Sequence, residues 1–145
     1  MTNWLCITTS DNWKITKNEN VLGFKERVKR QIFPIKNGDI GFIYLKTGSP
    51  DVKNPRVIAK FEFVSEIYKD DAPLFSPPKN YPRETFPLRC KIKILAVLEE
   101  PINFRGLVPN LSFIRCKETW GVRLMGHALI DLSNRDFDVI NSGFK

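Results

Sequence analysis

The chain has one histidine, His127, and three cysteines, Cys6, Cys90 and Cys116. Acid–base and nucleophilic catalysis most often recruit a histidine beside the reacting group. One histidine, with no activating context around any cysteine, predicts no catalytic residue and a protein that is not an enzyme. A metal site needs three or four ligands at sensible spacing, which one His and scattered Cys do not supply. No metal and no cofactor are therefore expected. The carboxylate pairs Asp70-Asp71 and Glu99-Glu100 are adjacent in turns and read as solvated. Neither phosphate-cradling glycine pattern, G-x-x-x-x-G-K-[ST] or G-x-G-x-x-G, occurs, and the eight glycines read as turn residues.

Aromatic side chains in polar surroundings point instead to binding. Trp13 follows Asn12, Tyr68 and Phe75 flank an acidic turn, Tyr81 lies between proline-rich stretches, and Trp120 precedes Gly121. Aromatic faces stack on nucleobases, at about 1–3 kcal/mol per base. A flipped base is held by such walls and by hydrogen bonds to its polar edge. The amide of Asn12 offers both a donor and an acceptor for that edge. Lys25, Arg27, Lys29 and Arg30 form a basic stretch suited to phosphates, with Glu26 its one acid. Each of these residues has a plainer reading, as core aromatic or solvated charge.

The elements that would carry them follow from periodicity. Trp4–Thr8 reads as a buried strand, and Ser10 or Asp11 as the N-cap of a helix to about Asn20. Ile40–Leu45 reads as a strand with Phe42 and Tyr44 on one face. Arg56–Glu66 alternates with Val57, Ala59, Phe61 and Phe63 inward, and Leu88–Val97 with Leu88, Cys90, Ile92 and Ile94 inward. Ser112–Cys116 and Trp120–Met125 are expected to be extended. A last helix starts at Ser133, with Ser133 and Asp136 as a capping box and Leu132 and Phe137 as a hydrophobic staple. Thr47–Pro55 and Asp70–Pro87 are loops, and one as long as the second is usually functional. Five to six short strands with few helices suggest an α+β chain built on a small twisted barrel.

With 145 residues, 42% of them hydrophobic and 27% charged, the chain is expected to form a single domain, 1–145, with its own core. The odd cysteine count excludes a simple disulfide framework. No leader pattern and no apolar run near the roughly 18 residues of a membrane span are visible. A cytoplasmic protein without a membrane partner is expected. Lys and Arg number 23 against 16 Asp and Glu, a net charge of +7, which favours a polyanionic partner.

A series of segments then resembles a known family. Asn3-Trp4-Leu5-Cys6-Ile7-Thr8 with Asp11-Asn12-Trp13 is similar to the opening of EVE domains. So are Asn20-Val21-Leu22-Gly23, Lys36-Asn37-Gly38-Asp39, Phe63-Val64-Ser65-Glu66-Ile67-Tyr68 and Tyr81. Phe86-Pro87-Leu88-Arg89, Leu111-Ser112-Phe113-Ile114 and Trp120 continue the series in order along nearly the whole chain. The resemblance implies a PUA-like twisted β-barrel with flanking short helices, akin to YTH domains. It also implies a DNA-binding module that recognises a modified, methylated base by flipping it into an aromatic pocket. Carried onto this chain, the base pocket comprises Thr8, Thr9, Asn12, Trp13, Leu22, Gly23, Tyr44, Ser65 and Tyr68, with Tyr81 and Trp120 as further aromatic walls. The sequence departs at Leu22, where many members carry Trp. A PUA-like RNA-binding protein and a protein-interaction module are the competing readings.

Overall fold

The structure is a computed structural model and describes residues 1–47 and 54–144. Of the Thr47–Pro55 loop, residues 48–53 lie outside the described part. Among the described residues, seven strands form one mixed sheet. They are β1 (Asn3–Thr8), β2 (Val21–Phe24), β3 (Ile40–Leu45), β4 (Arg56–Phe63), β5 (Tyr68–Lys69), β6 (Leu88–Asn103) and β7 (Leu129–Leu132). The order is β2-β6-β4-β3-β1-β7, with β5 also on β6. Only β1 and β3 run parallel. A parallel pair needs a crossover. Here it contains α1 (Ser10–Glu19), β2 and the short α2 (Lys29–Ile32).

The sixteen-residue β6 pairs with β2 and β5 near its start and with β4 along the rest. The β4–β6 register shifts twice, at Val57/Ala59 and at Lys60/Phe61. Such bulges bend a strand and tighten its twist, and the sheet curls into a half-barrel.

The central strands are buried on both faces, which is why β1 and β3 read as nearly unbroken apolar runs. Trp4, Cys6, Ile43, Leu45, Ala59, Phe61 and Phe63 enter one core with Trp13 of α1. Leu5, Phe42, Tyr44 and Val57 enter a second. The second core is covered by α3 (Phe104–Leu107), α4 (Trp120–Leu124) and α5 (Asn134–Asn141). Each fully buried Leu, Ile or Phe contributes roughly 1.5–3 kcal/mol, so two-sided burial outweighs local propensity in these strands.

Several expectations are corrected. The N-cap of α1 is Thr9, whose hydroxyl accepts the Asn12 N–H at 3.2 Å, and neither Ser10 nor Asp11 caps it. Trp120–Met125 is not a strand but α4 and its cap, because its backbone bonds close locally, Val122 to Thr119 and Met125 to Val122. Ser112 and Phe113 form a turn held by the buried Asp136 carboxylate, which accepts both backbone N–H groups and the Ser112 hydroxyl at 2.7–3.2 Å. Only half of the capping box therefore exists: Ser133 accepts the Asp136 N–H, while the Asp136 side chain points to another segment. β2 and β7 are strands that periodicity missed, since four residues are too few to show a period.

Candidate functional site

The first turn of α1 sets the wall of a cleft. Trp13 and Thr16, three residues apart, face the core, so Asn12 is turned toward the 70–87 loop. Its Oδ1 accepts the Ser76 N–H at 2.7 Å, and its Nδ2 donates to the Ser76 carbonyl at 3.2 Å.

Arg89 of β6 holds the same loop from beneath and is 3% exposed. Its guanidinium donates to the carbonyls of Phe86 at 3.2 Å, Thr85 at 3.0 Å and Ala72. The Asp70 carboxylate lies 3.5 Å away, and the Phe75 ring centroid 5.4 Å away. Phe75 in turn packs against β2, where a Cβ on Gly23 would come within 2.3 Å of the ring. Phe86 packs edge-on to Phe75 with centroids 5.8 Å apart, and its backbone has φ +51°. That conformation is strained for a bulky residue. The Glu84 carboxylate, accepting the Phe86 N–H at 2.9 Å, and Arg89, on its carbonyl, hold it there.

The result is a cleft of about 710 Å³ between the end of β1, β2, this loop and the 124–128 segment. Leu22, Phe24, Phe75 and Phe86 supply apolar walls, and Thr8, Thr9, Ser76 and His127 supply polar groups. Lys25, Arg27, Lys46 and Lys79 line it as well, with Asp11 as the one acid. Lys46 is placed by its N–H, which donates to the Thr8 carbonyl at 3.0 Å. Partial burial, and then the charges of Arg27 and Lys46, push the Lys25 ammonium below the usual lysine range, while Glu84 opposes them. Its Nζ lies 5.9 Å from the ring centroids of both Phe86 and Tyr81.

The expected site residues thus divide. Thr8, Thr9, Asn12, Leu22, Gly23, Lys25 and Arg27 line the cleft. Trp13 does not: it packs in the core against the sheet and is absent from the cleft lining, so it is no wall for a base. Asn12 has one N–H and one lone pair of its amide engaged by Ser76, so its first task is to hold the loop. Tyr44 and Trp120 pack on Phe104 at 4.8 and 5.5 Å, on the side of the sheet served by the second core. Burial there raises the Tyr44 phenol to about 12, against the opposing charge of Arg105. Ser65 accepts the Lys91 N–H at 2.9 Å and lies away from the cleft. Tyr68 sits in β5 opposite Arg89 and is also absent from the cleft lining. Tyr81 is exposed and outside the lining, and it meets the cleft through Lys25 and through its N–H, which donates to the Pro78 carbonyl at 3.0 Å. Lys29 and Arg30 are exposed on α2, outside the lining.

Sequence reasoning missed Lys46, residues 76–79 and Phe86 of the wall, and the 124–128 segment, and it singled out Phe75 without placing it in the pocket. The length of the proline-rich 70–87 loop was the available signal for the wall. A second hollow, of about 520 Å³ around Phe113, Cys116 and Arg123, contains none of the expected site residues. No group of three or more His, Cys, Asp or Glu arranged to hold a metal occurs among the described residues, and no described helix is long and apolar enough to cross a membrane.

The EVE domain family model matches residues 2–142. A UPF0310 protein of Pyrococcus abyssi is 38% identical over 144 residues, which is 98% of this chain and 99% of that protein. A UPF0310 protein of Pyrococcus horikoshii is 34% identical over 143 residues, 97% of each. Among solved structures, human THYN1 protein in complex with 5-methylcytosine containing DNA has a TM-score of 0.66 at 12% identity, covering 98% of this chain and 96% of that one. The Pho92 YTH domain in complex with m6A has a TM-score of 0.63 at 14% identity, covering 99% and 83%. These two likenesses speak to the fold, an α+β PUA-like half-barrel with short flanking helices. With a family match over residues 2–142 and two relatives above 30% identity along nearly its whole length, the chain belongs to the EVE domain family.

Proposed function

We propose that this protein binds nucleic acid rather than catalysing a reaction, and that it takes one modified, methylated base of DNA out of its stack into the cleft. The observation that carries this reading is the joining of apolar aromatic walls, Phe75 and Phe86, to a rim of Lys25, Arg27, Lys46 and Lys79. Burial and the charges of Arg27 and Lys46 lower the Lys25 pKa, and the phosphates of a nucleic acid would add negative charge beside these cations. The complexes of human THYN1 with 5-methylcytosine containing DNA and of the Pho92 YTH domain with m6A support the same ligand class. An added methyl group in an apolar wall contributes about 0.8 kcal/mol. Larger discrimination requires polar groups that an unmodified base leaves unpaired. Thr8, Thr9, Ser76 and His127 line the cleft, and we assign this role to them.

The test is a fluorescence-anisotropy titration with labelled DNA and RNA oligonucleotides, unmodified or carrying 5-methylcytosine or N6-methyladenine, at two salt concentrations. The expected result is tightest binding to one methylated DNA. In a Lys25→Ala variant the salt slope should fall by about 0.9, the loss of one phosphate contact. Equal affinity for modified and unmodified strands would overturn base reading. Tighter binding to RNA, dependent on the 2′-hydroxyl, would replace DNA by RNA. No binding at low salt would overturn the whole reading.

A further inference from the structure

Met125 lines the cleft yet is 73% exposed. It follows α4 directly, and its N–H closes the last turn on the Val122 carbonyl at 3.2 Å. Gly126 then turns the chain with φ +77°, a conformation that suits glycine. The Gln31 side chain fixes the other side of this turn: its Nε2 donates to the Gly126 carbonyl at 3.3 Å, and its Oε1 accepts the Ala128 N–H at 2.9 Å. Met125 is thus an apolar side chain on a braced turn, projecting at the mouth of the cleft.

The brace also joins Met125 to α2. That helix carries Lys29 and Arg30, both exposed, and is followed by Phe33, which is 84% exposed. A single exposed apolar residue needs no explanation. Here two such residues lie on segments cross-linked by Gln31, and Lys29 and Arg30 stand on the same short helix as Gln31.

Resting on the base-binding reading above, we propose that the substrate is duplex DNA and that Met125 is the wedge that enters the stack as the base leaves it. Extruding a base from a duplex leaves a gap, and unstacking and unpairing cost a few kcal/mol. Apolar side chains, methionine among them, fill such gaps and repay the unstacking. Lys29 and Arg30 hold phosphates beside the gap, while Lys25, Arg27 and Lys46 hold those at the cleft. A single strand presents no gap, so the wedge matters only for a duplex.

The experiment compares wild type, Met125→Ala and Met125→Leu on the methylated oligonucleotide preferred in the titration above, as single strand, as matched duplex, and as duplex with a mismatch opposite the methylated base. Melting temperatures of the three proteins serve as the folding control. Met125→Ala should lose about tenfold in affinity for the matched duplex, less for the mismatched one, and least for the single strand, where only its contact in the cleft is lost. Met125→Leu should keep most of the duplex affinity. Equal losses on single strand and duplex, or no loss on either, would overturn the wedge. Wild type binding the single strand but not the duplex would also overturn it while leaving the base-binding reading intact. Wild type binding neither would instead sink that reading.

Discussion

The side-chain amide of Asn12 pairs with the peptide of Ser76 as one strand pairs with another, accepting its N–H at 2.7 Å and donating to its carbonyl at 3.2 Å. One residue of α1 thereby fixes a loop 64 positions away, and that loop is a wall of the cleft. Asn12→Asp keeps the acceptor and turns the donor into a second acceptor facing a carbonyl. It should lower stability by about 1–3 kcal/mol, since the Ser76 carbonyl loses its partner. Urea unfolding measures that loss. Hydrogen exchange should show lost protection across residues 70–87 and little change in β3 and β4. An even loss of protection would show that Asn12 acts on the whole fold.

Gly23 sets the depth of the cleft. An alanine methyl there would come within 2.3 Å of the Phe75 ring. The ring must move, and overpacking of this kind costs about 1–3 kcal/mol. Gly23→Ala should therefore weaken both stability and ligand binding. Gly23→Ala combined with Phe75→Leu should recover part of the stability, and a double-mutant cycle by chemical denaturation reads the coupling. Purely additive effects would mean that the two residues do not share the site in solution.

Lys25 gives the binding a pH dependence whose sign is fixed. Partial burial, then Arg27 and Lys46, lower its ammonium from the ordinary lysine value. A bound phosphate favours the charged form and raises that pKa again. Affinity should fall as pH rises through the lowered Lys25 pKa, before an ordinary lysine at about 10.4 would titrate. Lys25→Arg should flatten this fall, because arginine stays protonated. An unchanged pH profile in the arginine variant would assign the dependence to another group.

Asp39 gives stability its own acid limb. It accepts hydrogen bonds from Trp4 Nε1, Thr2 N and Lys36 N, each at 3.0 Å. Burial acts to raise its pKa, but these bonds and the N-terminal charge outweigh it, so the folded value lies below the ordinary one. Its stabilisation is therefore present above the unfolded carboxylate pKa and lost as pH falls through the folded value. Asp39→Asn should destabilise by about 1–3 kcal/mol at pH 7, because its NH₂ faces donors that are already buried. The gap from wild type should narrow on acidification. Urea unfolding at pH 7 and at pH 3 measures both, and a constant gap would remove Asp39 from the acid limb.

The sequence by itself determined the strands that form the sheet's centre, because β1, β3, β4 and β6 bury long apolar or alternating runs whose period needs no partner to be seen. It also determined the start of α5 at Ser133 and the order of family segments. Tertiary structure alone decided which aromatics face the cleft. Trp13 sits between Asn12 and Lys14, and those polar neighbours suggest exposure. Helical spacing nevertheless places it with Thr16 on the buried side. Period reports that a side chain is buried or exposed, not what it is buried against. Phe75 and Phe86 became walls only because Asn12 and Arg89 pin a loop whose own sequence has no period, and because Gly23, without a Cβ, leaves room for the Phe75 ring. β2 and β7 likewise exist through their pairings with β6 and β1, contacts that no window of neighbouring residues contains.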